Sequence, residues 1–190
     1  QSGDNDTNGI SIGVNALALN SGTISDPAGN NSTLTHSLVD NNSGYKVDTM
    51  APSVDNFTMS DTALKIGDNA TVTLIFSEQI CPVTDSCAIG FNNSDIDVPD
   101  VTGTFTDTGS LSTLTTDDNV TWTGIFIPTD NIEDNTSVLT LGTGYTDLAG
   151  NAGPSAQTAN YAVDTKEPEV SRVFVSGQQG ISAYNFLNPN

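Results

Sequence analysis

Basic side chains are nearly missing from this chain. Lys46, Lys65, Lys166 and Arg172 are the only four, against 23 acidic residues, for a formal charge of −19. With no patch able to neutralise phosphates, nucleic acid is disfavoured and not expected as a partner, and an anionic membrane surface is disfavoured on the same ground. Two readings of the acidity stay open: it keeps a long secreted fibre soluble, or it binds divalent cations. Histidine is represented only by His36, in the strand-like run Thr35-His36-Ser37. Without a Gly-x-Ser-x-Gly elbow or a phosphate loop, and with Asp and Ser concentrated in turn-like sequence, the chain reads as not an enzyme. Two acids are all a glycosidase needs, so composition by itself leaves paired-carboxylate chemistry open. No hydrophobic run approaches the length of a membrane span, so no membrane insertion is expected in this segment.

Cysteine is almost as scarce. Cys81 and Cys87 are the only two, five residues lie between them, and no His or Cys cluster accompanies them. That spacing suits a small disulfide loop better than a zinc site, with a reduced pair as the alternative. An oxidising, extracellular setting is expected.

What the chain does contain is a repeat. Tyr45-Lys46-Val47-Asp48-Thr49-Met50-Ala51-Pro52 returns as Tyr161-Ala162-Val163-Asp164-Thr165-Lys166-Glu167-Pro168, with Tyr, Val, Asp, Thr and Pro each 116 residues apart. Each copy reads as a strand ending in Tyr-x-Val, a polar link, and a Pro that fixes φ and starts the next strand. Before each link stands a second motif, Asp26-Pro27-Ala28-Gly29-Asn30 and then Asp147-Leu148-Ala149-Gly150-Asn151. A period of this size fits one β-sandwich and exceeds the short solenoid periods. The expected organisation is therefore the back part of a unit over 1–49, a complete unit over 50–165 and the front of another over 166–190.

Alternation in Ala70–Ser77 puts Ala70, Val72, Leu74 and Phe76 on one face of a half-buried strand, and Val120–Ile127 has the same period. Trp122, the only tryptophan, is a natural centre for the core. Further strands are expected over Val54–Met59, Ser137–Leu141 and Ala159–Val163, and in the first part over Ile10–Ile12, Ala16–Leu19 and near Tyr45. The stretch 100–118 suits hairpins and irregular edges. Nothing shows helical periodicity, so the chain is all-β.

The run Asp61-Thr62-Ala63-Leu64-Lys65-Ile66-Gly67-Asp68-Asn69-Ala70-Thr71-Val72-Thr73, then Phe76-Ser77-Glu78, Trp122-Thr123-Gly124-Ile125-Phe126-Ile127-Pro128-Thr129 and Thr146-Asp147-Leu148-Ala149-Gly150-Asn151 resembles the bacterial Ig-like repeats of giant surface adhesins. The flanks, from Asn8-Gly9-Ile10-Ser11-Ile12 to the Tyr45 link and again at Asn185-Phe186-Leu187-Asn188, resemble a sister repeat type. The resemblance implies tandem Ig-like antiparallel β-sandwiches, one complete and two partial, serving as spacer material on a bacterial surface. The Cys81–Cys87 loop departs from the usual pattern. An alternative function is a self-assembling filament subunit whose incomplete flanks are completed by strand exchange with an identical chain.

Calcium is the expected cofactor, at the link between units. If the first strand of the sandwich leaves the Asp48 link, the second returns and delivers Glu78 to the same end, where the loop holding Asp147 and Asn151 also lies. Asp164 should play the part of Asp48 for the next unit, and Asp26 with Asn30 should occupy the matching pole of the preceding one. A second candidate is Asp4-Asn5-Asp6-Thr7-Asn8-Gly9, where Asp4, Asp6 and Asn8 alternate as in the opening of a calcium loop. Its twelfth position is Asn15 where an EF-hand needs Glu, so an EF-hand is rejected and either a non-helical loop or a metal-free turn remains.

Overall fold

A computed structural model of the chain describes residues 3–87 and 89–173. The described part is all-β. Residues 3–49 form two small antiparallel pairs: β1 (Asn5–Asp6) with β4 (Val47–Asp48), and β2 (Ile10–Ile12) with β3 (Val39–Asn42). The strand expected over Ala16–Leu19 does not form. Asn15 at φ +53° and the bond from Ala16 N–H to Gly13 C=O turn the chain there, and no neighbouring strand offers its ladder.

The complete unit opens with β5 (Val54–Met59), β6 (Ala63–Lys65) and β7 (Ala70–Phe76), continues with β8 (Ile96–Asp97), β9 (Gly109–Leu111) and β10 (Thr121–Pro128), and closes with β11 (Glu133–Ser137), β12 (Thr140–Leu141), β13 (Ala156–Gln157) and β14 (Tyr161–Asp164). One sheet has the order β5-β7-β10-β9; facing it are β11-β14-β6 and β13-β12-β8. All pairings are antiparallel except β14 with β6. After β5 the chain crosses between the sheets without reversing, so β6 and β14 both run away from the Asp48 link. The alternation of β7 is realised, with Ala70, Val72, Leu74 and Phe76 all buried. Strands β6, β8 and β13 were not among the expected elements; at two or three residues each they are too short to show a period. The strand expected over Ser137–Leu141 is interrupted at Val138 and Leu139: Ser137 ends β11, which begins earlier at Glu133, and only Thr140–Leu141 form β12.

Four aromatic rings pack together in the core. Phe91 lies edge-on to Trp122, Phe76 and Tyr145, with ring centroids 4.8, 5.9 and 5.7 Å away, and Phe76 meets Tyr145 at 5.3 Å. Edge-to-face pairs of this kind add to the area term. Further along, the Tyr161 hydroxyl meets the Thr108 hydroxyl at 2.7 Å, so no polar atom of this packed layer is orphaned.

The expected opening of another unit lies mostly beyond residue 173, outside the described residues; residues 166–173 carry no strand. The first 49 residues differ from the unit in burial. Tyr45 is 66% exposed where its repeat partner Tyr161 is 0%, and Ile10, Ile12, Leu38 and Val39 are about half exposed. Segment 50–165 expressed alone is expected to unfold cooperatively in denaturant, and 1–49 alone to show no transition; a missing transition in 50–165 would require different boundaries.

Asp134 supplies a second test. Its buried carboxylate accepts from Thr102 N–H (2.8 Å), Thr102 Oγ1 (2.9 Å), Thr136 N–H (2.9 Å) and Ser137 Oγ (3.2 Å). Those donors, led by the Thr102 and Thr136 amides, hold its pKa down at about 2. Its stabilising effect is complete above the ordinary carboxylate range and is lost as pH falls towards 2. Asp134→Ala should cost roughly 1–2 kcal/mol near neutral pH, because the part-buried Thr102 and Thr136 amides lose their acceptor. Urea unfolding of the two proteins should converge in acid.

Candidate metal centre

The site is assembled where two segments leave the aromatic layer: Glu78 stands in the bend that follows Phe76, the last residue of β7, and Asp147 stands two residues after Tyr145. Ile80 and Asp147 form an antiparallel bridge that locks the two segments together. Ser77 N–H bonds Ser53 C=O (3.0 Å) and Ser53 N–H bonds Ser77 Oγ (2.8 Å), which seats the Pro52 link beside Glu78.

Asp48, Glu78 and Asp147 converge there, each offering a carboxylate oxygen within 4.8 Å of the others. Asp147 is 1% exposed, whereas Asp48 and Glu78 are half-buried. Partial burial first, then the charges of Asp48 and Asp147 and a hydrogen bond with Asp48, push the Glu78 pKa up. No basic side chain is among the causes of that shift. The donor set is all oxygen and strongly anionic, which fits a hard cation such as calcium and not a soft metal.

Asp147 owes its position to a tight turn. Its Oδ1 accepts from Ala149 N–H (2.8 Å) and Asn151 N–H (2.9 Å), and its Oδ2 accepts from Asn151 Nδ2 (2.8 Å). Gly150 sits at φ +95°, a conformation that disfavours any side chain there. Asn151 Nδ2 also donates to Asp48 C=O (3.2 Å), 103 residues away in sequence. The Asn151 amide nitrogen therefore bridges link and turn, bonding the Asp147 carboxylate on one side and the Asp48 backbone on the other.

The same turn occurs in the first part of the chain. Asp26 Oδ1 accepts from Ala28 N–H (3.0 Å) and Asn30 N–H (2.9 Å), Oδ2 accepts from Asn30 Nδ2 (2.9 Å), and Gly29 is at φ +87°. The side-chain and backbone bonds from Asn30 lower the Asp26 pKa. The links match as well: Met50 N–H donates to Asp48 Oδ1 (3.1 Å) and Lys166 N–H to Asp164 Oδ1 (3.2 Å). Asp164 lies beside Lys65 and Glu133, at the far pole and outside the trio.

Asp4, Asp6 and Asn8 are arranged differently. Asp6 Oδ1 accepts from Asn8 N–H (3.2 Å) and Gly9 N–H (3.0 Å), while Asp4 C=O accepts from the Thr49 amide and hydroxyl, each at 3.0 Å. Among the described residues neither Asp4 nor Asp6 joins a group of three ligating side chains. In register, Asp6 opposite Val47 matches Asp134 opposite Val163, so the alternating oxygens mark the start of a strand and its turn. Cys81 and Cys87 are joined by a disulfide, as the spacing suggested. Asp134 was not singled out in the sequence; its place opposite the Val of the Tyr-x-Val strand, which it shares with Asp6, is the signal that could have found it.

A family model for a bacterial Ig-like domain matches residues 48–163, more than half of the chain. The chain belongs to the bacterial Ig-like domain family. Domains of this family are typically structural and not enzymatic. Comparison with curated proteins and with solved structures gives no match. The Ig-like match begins at Asp48 itself, so the family's unit includes the last residue of β4, whose carboxylate faces Glu78.

Because the folded pKa of Glu78 is raised, ionising it opposes folding of the metal-free protein: its contribution worsens as pH rises through and above the ordinary Glu value. In chelator at neutral pH, Glu78→Gln should therefore melt a few degrees above the parent Ig-like protein, and the two should coincide in mild acid. A lower Tm for the variant in chelator would contradict the electrostatic reading.

Proposed function

We propose that this chain is an extracellular structural segment of a bacterial surface adhesin, a tandem of Ig-like units stiffened by calcium at their links. The observation that carries the reading is the convergence of Asp48, on the link strand β4, with Glu78 and Asp147 of the sandwich at a single link. Like charges gathered without a basic partner oppose folding unless neutralised. A cation taking six to eight oxygens would draw on all three carboxylates, with water completing its shell, and would hold two sandwiches as a rod. The extracellular part of the reading is supported by the family and by the disulfide.

A second reading keeps the fold and changes the assembly: a filament subunit completed by strand exchange between identical chains. It is favoured by the exposed apolar face of residues 10–45, where Tyr45 lacks the cover that Tyr161 has. The intact mass of the native polypeptide separates the two. A mass near 19.7 kDa supports the subunit, and a giant polypeptide supports the array.

The metal reading is tested by calorimetric titration of the full chain with calcium. Binding is expected, with a higher Tm than in chelator, and both effects should vanish in Asp48→Ala and Glu78→Ala. The Tm of Glu78→Gln should now lie below the parent, reversing its order in chelator. An unchanged Tm of the parent between calcium and chelator would rule the proposal out.

A further inference from the structure

The Cys81–Cys87 disulfide has no part in closing the two sheets, yet its surroundings tie it to the link. Cys81 is fully buried and follows Ile80, the residue bridged to Asp147. Its N–H donates to Thr146 C=O (3.0 Å), and its own C=O accepts from Phe91 N–H (2.7 Å). On the other side of the loop, Ile89 C=O accepts from Thr146 Oγ1 (2.9 Å). Both stems of the disulfide loop therefore grip Thr146. The next residue is Asp147, whose turn ends at Asn151, and Asn151 reaches the carbonyl of Asp48 across the link. An unbroken run of covalent and hydrogen bonds leads from the disulfide to Asp48 of the link strand β4.

We propose that the Cys81–Cys87 disulfide is a positioning brace for this link: it holds the Asp147 turn against the Ile80–Cys81 edge, and reducing it loosens the carboxylate cluster and the joint together. The consequence for metal affinity rests on the calcium reading above; the brace itself does not. Reduction by a dithiol such as dithiothreitol breaks the S–S bond, transfers two electrons and two protons to the two sulfurs, and releases the reagent as its cyclic disulfide.

The test is amide hydrogen exchange on the intact chain, oxidised against reduced, with Cys81→Ala/Cys87→Ala as an independent check. Protection at Cys81, Asp147 and Asn151 should fall at least about tenfold on reduction while the amides of Val72 and Gly124 between β7 and β10 keep theirs. Unchanged protection at Asp147 and Asn151 would overturn the brace. So would an equal loss throughout β7 and β10, the mark of a staple acting only on global stability. A second arm titrates both forms with calcium. Loss of the brace should weaken binding about 10-fold or more, and by linkage calcium should make the disulfide harder to reduce by the same factor. Equal affinity in the two forms overturns the proposal. If the oxidised protein takes up no calcium, the metal reading falls and the exchange experiment still decides the brace.

Discussion

The packing of Phe76 on Tyr145 is the contact on which the far-reaching features of this structure depend. Each ring stands two residues before an acid, so burying the rings against each other delivers Glu78 and Asp147 to one spot whether or not their charges favour it. Full burial of an aromatic side chain is worth roughly 1.5–3 kcal/mol, and two neighbouring like charges at a protein surface oppose each other by about 1–4 kcal/mol. The two effects are comparable. The hydrophobic layer, extended by Phe91 and Trp122, is what tips the balance towards the converged state.

The duplicated details extend that logic along the chain. The Asp-x-x-Gly-Asn turn appears twice with the same hydrogen bonds, and so does the Asp-to-amide contact within the link. In the complete unit the turn docks on a preceding link. At Asp26 the matching pole is exposed. Tyr45 is exposed where its sequence counterpart Tyr161 is buried, and the apolar residues around Tyr45 are left half exposed.

Much of this was legible in the sequence because strands announce themselves by period and the repeat announces itself by spacing. Alternation in Ala70–Phe76 located the central strand, and counting strand reversals carried Glu78 and Asp147 to the Asp48 pole without any sight of the structure. Ala16–Leu19 shows the limit of local reading: apolar residues without a partner strand do not make one. Asp6 shows another, since an Asp that caps its own turn has the same local sequence as one that binds a metal. Asp134 was invisible for the opposite reason. Its principal partner, Thr102, is 32 residues away, and no local pattern reports a contact between a buried carboxylate and a distant amide.

The central claim, that the link at Asp48 is built around a cation held by Asp48, Glu78 and Asp147, is tested most directly by a crystal structure of the full chain grown in calcium. The account predicts one ion at the link, with oxygens of Asp48, Glu78 and Asp147 at about 2.3–2.6 Å. It would be contradicted by the three carboxylates standing in place without an ion while calcium occupies another site, such as the turn at Asp4 to Asn8.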